Sequence, residues 1–162
     1  MIDEVDAVAR EVLATFDARG LRIATVESCT GGLVAAALTE IPGSSSVVER
    51  GFVTYSNAAK TDLVGVDAAL IEAHGAVSEE VAEAMARGGL AHSKAEIAVA
   101  VTGIAGPGGS EYKPEGLVCF AGASRSALIV ETREFGPLGR SVVRRRSVEA
   151  ALRLALAVAA RS

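Results

Sequence analysis

Residues 21–41, LRIATVESCTGGLVAAALTEI, join two apolar segments through a polar turn that ends in two glycines. The first segment predicts a buried strand over residues 21–26, and the second predicts a helix over residues 33–41 that stops at Pro42-Gly43. In open α/β sheets, ligands usually bind beyond the carboxyl ends of the strands, which is where this turn lies. The stretch therefore predicts an α/β protein with a candidate site in residues 27–32.

The rest of the chain continues the alternation of helices and strands. Amphipathic spacing and capping residues predict helices over residues 2–19, 58–63, 78–92 and 140–160. Apolar and β-branched runs predict strands over residues 47–55, 97–101, 116–123 and 128–135. Residues 103–114 are rich in Gly and Pro and predict a loop, and His74 is expected in another loop. We therefore predict a single three-layer α/β/α sandwich domain with a mixed β-sheet over residues 1–162.

Bulk composition limits the classes of partner. The formal net charge of −4 provides no basic field for nucleic acid or anionic lipid, so neither is an expected partner. The longest apolar runs are shorter than the roughly 18 residues needed to cross a bilayer. The first residues do not have the pattern of a secretory signal, so we expect a cytoplasmic protein in which Cys29 and Cys119 are buried, unpaired thiols.

The turn after the first strand provides hydroxyl groups and a flexible backbone. Ser28 and Thr30 are possible hydroxyl donors, and Gly31-Gly32 at the start of a helix would let backbone N–H groups approach an anion. An ordinary helix cap with a tight turn explains the same residues equally well. Ser45, in the stretch Pro42-Gly-Ser-Ser-Ser, is a further hydroxyl, although an ordinary turn is the simpler interpretation there.

Lys60 lies at the start of a short predicted helix that follows a strand. If that end of the helix faces the serine-containing turns, burial and the positive end of the helix would lower the pKa of Lys60. A neutral lysine can then accept a proton from a serine hydroxyl. A solvated surface lysine is the alternative interpretation.

Two further stretches are candidates for binding an anion. Thr102, Gly103, Ala105 and Gly106 belong to a glycine-rich loop at the end of the most apolar strand, where several N–H groups can face an oxyanion, a phosphate or a ribose. Arg140 and Arg144 lie on one face of the last predicted helix, where a solvated basic face is the alternative.

A thiol or metal mechanism has little support in the sequence. Nothing in the spacing brings His74 or His92 near Cys29, and so few potential ligands do not form a metal cluster. We therefore expect no metal and no cofactor.

Five stretches, in this order, closely resemble the CinA C-terminal domain family: ESCTGG from Glu27, PGSS from Pro42, RGFVTYSN from Arg50, HGAVSEEV from His74 and VTGIAGPGG from Val101. The resemblance runs from the first predicted helix to the last. It implies the α/β/α fold, a metal-independent serine/lysine site and a homo-oligomer. Because stand-alone members are nicotinamide-nucleotide amidases, it also implies hydrolysis of nicotinamide mononucleotide to nicotinate mononucleotide and ammonia.

The resemblance also suggests roles for individual residues. Our preferred assignment makes Ser45 the nucleophile and Lys60 its general base, with Ser28 and Tyr55 relaying protons or positioning the amide. Sequence alone does not decide between Ser45 and Ser28. The binding groups for the oxyanion, ribose and phosphate would come from the two glycine-containing turns and the last helix: Thr30, Gly31, Gly32, Thr102, Gly103, Ala105, Gly106, and Arg144 or else Arg140.

The chain departs from the family pattern at two places. The glycine loop is a residue shorter, with Glu115 where the family usually has Val, and Leu138-Gly139-Arg140 replaces Gly-Asp-Arg. The second departure bears on which arginine contacts the phosphate. The pyrophosphatase-like domain of many relatives is not recognised in these residues, so its activity is not expected. The alternatives to the amidase are a non-catalytic pyridine-nucleotide-binding module, acting as a sensor or partner domain, and an amidase for another small pyridine or nucleotide-like amide.

Overall fold

The computed structural model describes residues 3–162. The elements follow in this order: α1 (Glu4–Arg19), β1 (Ile23–Glu27), α2 (Leu33–Thr39), a 3₁₀ turn (Ser44–Ser46), β2 (Val48–Val53), α3 (Asn57–Val64), α4 (Ala68–His74), α5 (Glu79–Ala91), β3 (Ile97–Gly103), β4 (Leu117–Ala123), β5 (Leu128–Glu134) and α6 (Arg140–Ala160). Among the helices of these residues, none has the length and apolarity needed to span a bilayer.

The five strands form one mixed sheet in the order β2-β1-β3-β4-β5. β1 pairs in parallel with both β2 and β3, whereas β3, β4 and β5 pair antiparallel. β1 and β3 are covered on both faces, which explains why their sequences are nearly continuous apolar runs. The carboxyl ends of β1, β2 and β3 meet at the same edge of the sheet, and this edge positions the site.

Helices cover both faces of the sheet. On one face α1, α2 and α6 pack on side chains such as Val99 and Phe120. On the other face α3, α4 and α5 pack on a smaller cluster that includes Val26 and Ala100. This arrangement confirms the predicted three-layer α/β/α sandwich with a mixed sheet, and the observed strands lie within about two residues of the predicted ones.

The sequence analysis missed one helix. His74 was predicted in a loop, but it is the last residue of α4, which begins after the N-cap Asp67. Asp67 accepts a hydrogen bond from the Ala69 N–H at 2.9 Å. Only Ile71 is buried in this helix, so its apolar periodicity is too weak to be recognised in the sequence. The predicted start of the first helix at residue 2 lies outside the described residues.

Candidate active site

Ser28 lies at the centre of the edge formed by the parallel strands. It directly follows β1, and its backbone N–H donates to the Val101 carbonyl of β3 at 3.0 Å. Because β1 lies between β2 and β3, this hydrogen bond fixes Ser28 where the three strands end. The residue is only 8% exposed.

Lys60 points at Ser28 from the helix that follows β2. It lies in the first turns of α3, which is capped by the side chain of Ser56. Lys60 is 1% exposed, so it is a buried amine and not a solvated surface lysine. Its Nζ lies 3.0 Å from Ser28 Oγ, 2.9 Å from the Thr54 carbonyl oxygen and 3.4 Å from the Tyr55 carbonyl oxygen.

These contacts suit a lysine that acts as a base. Burial lowers the pKa of Lys60 because the ammonium form loses its hydration, although the negative charge of Glu111 opposes the shift. A neutral amine has two N–H groups and one lone pair. Donation to the two carbonyls leaves the lone pair to accept the Ser28 hydroxyl proton.

Ser28 and Lys60 open onto a cavity of about 390 Å³. The cavity is lined by the ends of β1 and β3, the start of α3 and the glycine-rich loop; among the predicted residues it contains Ser28, Tyr55, Lys60, Thr102, Gly103, Ala105, Gly106 and Arg140. Glu111 and Asn57 also line it. Its size is in the usual range for small-molecule sites.

Arg140 forms part of the cavity rim. Its Nη1 donates to the Gly106 carbonyl at 2.7 Å, and its Nη2 donates to the Tyr55 hydroxyl at 3.1 Å. The Tyr55 hydroxyl is therefore held at the rim, whereas the Tyr55 backbone carbonyl contacts Lys60. Thr102 is fully buried at the end of β3, where its hydroxyl donates to the Ala76 carbonyl at 2.8 Å.

The structure does not form the predicted pair of Ser45 and Lys60. Ser45 is exposed in the 3₁₀ turn that precedes β2, whereas Lys60 follows β2. The 6 residues of β2 separate the two ends of the sheet by roughly 20 Å at about 3.3 Å per residue. The assignment of Ser45 as the hydroxyl activated by Lys60 is therefore wrong, and Ser28 takes that position.

The start of α2 does not offer the free N–H groups that were expected for an anion. The buried carboxylate of Glu27 accepts hydrogen bonds from the N–H groups of Gly32, Val34 and Ala35 at 2.8–3.2 Å. It also accepts from the Thr30 hydroxyl at 2.6 Å. The protein's own carboxylate thus occupies this position, so Thr30 and Gly32 serve the turn and do not line the cavity.

Arg144 also lies away from the cavity. Its Nε donates to the Cys29 carbonyl at 3.1 Å, and its Nη2 donates to the Thr30 carbonyl at 3.2 Å. Gly31 lies beside this guanidinium, and a Cβ atom there would be 3.4 Å from Nη2. Of the two arginines considered for the phosphate, Arg140 is the one that lines the cavity.

The thiol of Cys29, next to Ser28, lacks the lowered pKa that a catalytic thiol needs. Burial raises its pKa to about 12, because the thiolate would be poorly hydrated. Cys29 and Cys119 are both free and buried, as predicted. At neutral pH, Cys29 is a protonated side chain in the wall of the cavity.

A larger groove of about 590 Å³ lies between the start of α1, β5 and α6. Its charged side chains are largely paired with one another, since Arg145 contacts Asp3 and Arg153 contacts Glu149. Among the described residues that line it, none is a serine, cysteine or lysine. The candidate site is therefore placed at the smaller cavity, where Ser28 and Lys60 lie.

The model of the CinA C-terminal domain family matches residues 5–159. This chain belongs to the CinA C-terminal domain family. A CinA-like protein of Mycolicibacterium vanbaalenii is 54% identical over 151 residues, which is 93% of this chain and 35% of that protein. The chain thus spans about a third of the length of this curated relative.

Solved structures of the CinA family have the same fold. A competence/damage-inducible protein from Agrobacterium tumefaciens superposes with a TM-score of 0.94 at 47% identity, covering 97% of this chain and 96% of that one. A CinA superfamily protein from Escherichia coli superposes with a TM-score of 0.90 at 32% identity, covering 94% and 88%.

Sequence reasoning missed several contributors to this CinA-type site. The carbonyls of Thr54 and Tyr55 left no signal, because backbone acceptors do not depend on residue type. Glu27 was part of the quoted turn but was given no role. Glu27 lies six residues before the start of α2, outside the spacing of a local capping pattern, so its role depends on the tertiary fold. Glu111 lies in a loop whose course the sequence does not define.

Proposed function

We propose that this CinA-family chain is an amidohydrolase that converts nicotinamide mononucleotide to nicotinate mononucleotide and ammonia. The observation that supports it most is the buried Lys60 amine 3.0 Å from the Ser28 hydroxyl. A lysine with a lowered pKa at hydrogen-bond distance from a serine is the arrangement of an activated nucleophile.

The first half of the reaction forms an acyl-enzyme. Ser28 Oγ bonds to the carboxamide carbon while its proton passes to Lys60 Nζ, and the carbonyl π electrons move to the oxygen. When the tetrahedral oxyanion collapses, the C–N bond breaks and the Lys60 ammonium gives its proton to the departing nitrogen, which leaves as ammonia. Lys60 is then neutral again and ready for the second half.

The second half hydrolyses the ester by the same route. Lys60 accepts a proton from water as the water oxygen attacks the acyl carbon. Collapse of the second oxyanion breaks the bond to Ser28 Oγ, and Lys60 returns its proton to that oxygen. The products are a free serine and a carboxylic acid, so the step needs no metal or redox partner.

The charges around the cavity suit a substrate with both an anionic and a cationic group. Arg140 offers a cation at the rim, where it can contact a phosphate, and Glu111 adds a carboxylate to the same cavity. A pyridinium ring carries positive charge and also withdraws electrons from its carboxamide. A pyridine mononucleotide such as nicotinamide mononucleotide has the phosphate, the positively charged ring and the carboxamide.

The deciding experiment measures ammonia released from nicotinamide mononucleotide by wild type, Ser28→Ala, Lys60→Met and Ser45→Ala. We expect turnover in wild type, a loss of about 10³-fold or more in Ser28→Ala and Lys60→Met, and near-normal turnover in Ser45→Ala. A folded wild type that binds the nucleotide but releases no ammonia would instead support a binding module. Turnover of other amides but not of this nucleotide would show that the chain is an amidase with a different substrate.

A further inference from the structure

The turn that bears Ser28 is held from two sides by charged groups that do not line the cavity. On one side the Glu27 carboxylate binds the N–H groups at the start of α2. On the other side the Arg144 guanidinium, from the second turn of α6, binds the carbonyls of Cys29 and Thr30 at 3.1 and 3.2 Å. The peptides that follow Ser28 therefore have a defined orientation.

That orientation decides where the N–H groups of the turn point. A peptide unit is planar and trans, so an N–H points away from the carbonyl of the same unit. Arg144 holds the Cys29 carbonyl, and the N–H of Thr30 in that unit therefore points away from Arg144. The Ser28 carbonyl accepts from the Gly31 N–H at 3.0 Å, which similarly fixes the N–H of Cys29.

The N–H of Cys29 is the one that lies beside the cavity. Within residues 3–162, no backbone carbonyl accepts from it, whereas the N–H groups of Ser28 and Gly31 donate to backbone carbonyls. Cys29, the residue after the candidate nucleophile, lines the cavity. A backbone N–H beside a nucleophile is well placed to stabilise the oxyanion that forms when the nucleophile attacks a carbonyl.

Arginine is well suited to this contact. Its planar fork can bind two carbonyls at once, whereas a lysine ammonium offers no such fixed pair of donors. Gly31 lies beside this guanidinium with a φ of 58°, a left-handed conformation that favours glycine at this point of the turn. Because both contacts are made by the protein's own carbonyls, Arg144 is engaged before any substrate arrives.

We propose that Arg144 is a positioning residue that makes the N–H of Cys29 face the developing oxyanion. Arg144 holds the Thr30 carbonyl, and the N–H of the same peptide unit, that of Gly31, binds the Ser28 carbonyl and so orients the Cys29 N–H. The inference rests on the proposed amidase function and extends it. Arg144 touches neither the substrate nor the reacting atoms, and it does not bind the phosphate.

The test compares Arg144→Met and Arg144→Lys with Arg145→Met, a neighbouring exposed arginine of the same helix. We expect Arg144→Met to lower kcat for nicotinamide mononucleotide by about 10- to 100-fold with KM nearly unchanged, because oxyanion stabilisation acts in the transition state. Arg144→Lys should recover only part of kcat, and Arg145→Met should behave as wild type. A phosphate ligand would behave differently, since KM would rise for the nucleotide but not for nicotinamide riboside, and that result would overturn the proposal.

A second measurement does not depend on the amide substrate. A fluorophosphonate forms a bond between phosphorus and Ser28 Oγ, releases fluoride and gives the serine proton to Lys60. Its P=O oxygen would accept from the same Cys29 N–H. We expect mass spectrometry to show that Arg144→Met labels Ser28 about 10-fold or more slowly than wild type, at a temperature where circular dichroism shows both to be folded. A merely structural role would lower the melting temperature without this slowing.

The two measurements separate failure of the substrate from failure of the inference. If wild type labels at Ser28 but does not hydrolyse the nucleotide, the proposed substrate is wrong and the labelling ratio still tests Arg144. Equal labelling rates in Arg144→Met and wild type would overturn the inference, whatever the substrate. So would a wild type in which Ser28 does not react.

Discussion

The Nζ of Lys60 lies 3.0 Å from the Oγ of Ser28, although 32 residues of sequence separate the two. One follows the central parallel strand and the other lies in the helix after the neighbouring strand, so the parallel pairing of β1 and β2 brings them together. Lys60 is 1% exposed, and its Nζ also donates a hydrogen bond to the Thr54 carbonyl. In the proposed reaction, the protonation state of Lys60 therefore decides whether Ser28 can be activated.

The pH dependence of turnover should follow the protonation of Lys60. Burial lowers the pKa of Lys60 below the ordinary value of 10.5, and only the neutral amine can accept the Ser28 proton. We therefore expect kcat/KM to rise with pH through the Lys60 pKa and then level off. Selective NMR of the lysine ε-carbons, assigned with Lys60→Met, measures that pKa directly. A Lys60 signal that titrates at or above 10.5 would contradict the prediction.

The free energy of unfolding should also depend on the protonation of Lys60. Because the folded-state pKa of Lys60 is below the unfolded value, the unfolded chain binds more protons between the two values, and stability rises with pH across that window. Lys60→Met lacks this rise. The unfolding free energy of the variant relative to wild type should therefore fall with pH across the window, by about 1.4 kcal/mol for each unit of lowering. Urea unfolding of both proteins across this pH range measures it, and parallel pH profiles would be the contrary result.

Glu27→Ala should be strongly destabilising. The substitution leaves three N–H groups and one hydroxyl at the start of α2 without their acceptor, because all four donate to the Glu27 carboxylate, which is only 1% exposed. The loss of a helix cap together with unsatisfied buried donors predicts a cost of about 2–4 kcal/mol in unfolding free energy. Urea unfolding provides the measurement, and Glu40→Ala, at the exposed end of the same helix, is the matched control. If both variants changed stability equally, the capping role of Glu27 would be refuted.

Cys29→Ala should keep the activity, because the thiol is protonated and takes no part in the proposed reaction. Burial raises its pKa to about 12, so iodoacetamide should modify native protein slowly and unfolded protein rapidly. Ammonia release and intact-mass analysis check both statements. Rapid alkylation of the native protein with loss of turnover would restore a thiol mechanism.

Arg140→Met should weaken binding of the phosphorylated substrate. A charge-assisted hydrogen bond is worth about 1.5–3 kcal/mol, so KM for nicotinamide mononucleotide should rise by roughly 10- to 100-fold. Nicotinamide riboside has no phosphate and serves as the control substrate, with a much smaller change expected. An equal rise in KM for both compounds would show that Arg140 acts by holding Tyr55 and Gly106 at the rim, and not by binding the phosphate.

Much of the fold and part of the site could be predicted from the sequence. Strands β1 and β3 are apolar on both faces, and α3 and α5 are preceded by the serine caps Ser56 and Ser78, so local signals were sufficient there. Helix α4 buries only Ile71 and gave no comparable signal. Glu27 and Arg144 were visible as residue types, but the backbone groups that they bind are independent of sequence.

The sequence by itself determined the order of helices and strands, the glycine-rich loop and the presence of candidate serines and a candidate lysine. Only the tertiary structure decided which serine the lysine can reach. Ser28 and Lys60 follow parallel neighbouring strands and so share one edge of the sheet, whereas Ser45 precedes its strand and lies at the opposite edge. Chain order alone does not contain this distinction, because it depends on which strands pair and in which direction.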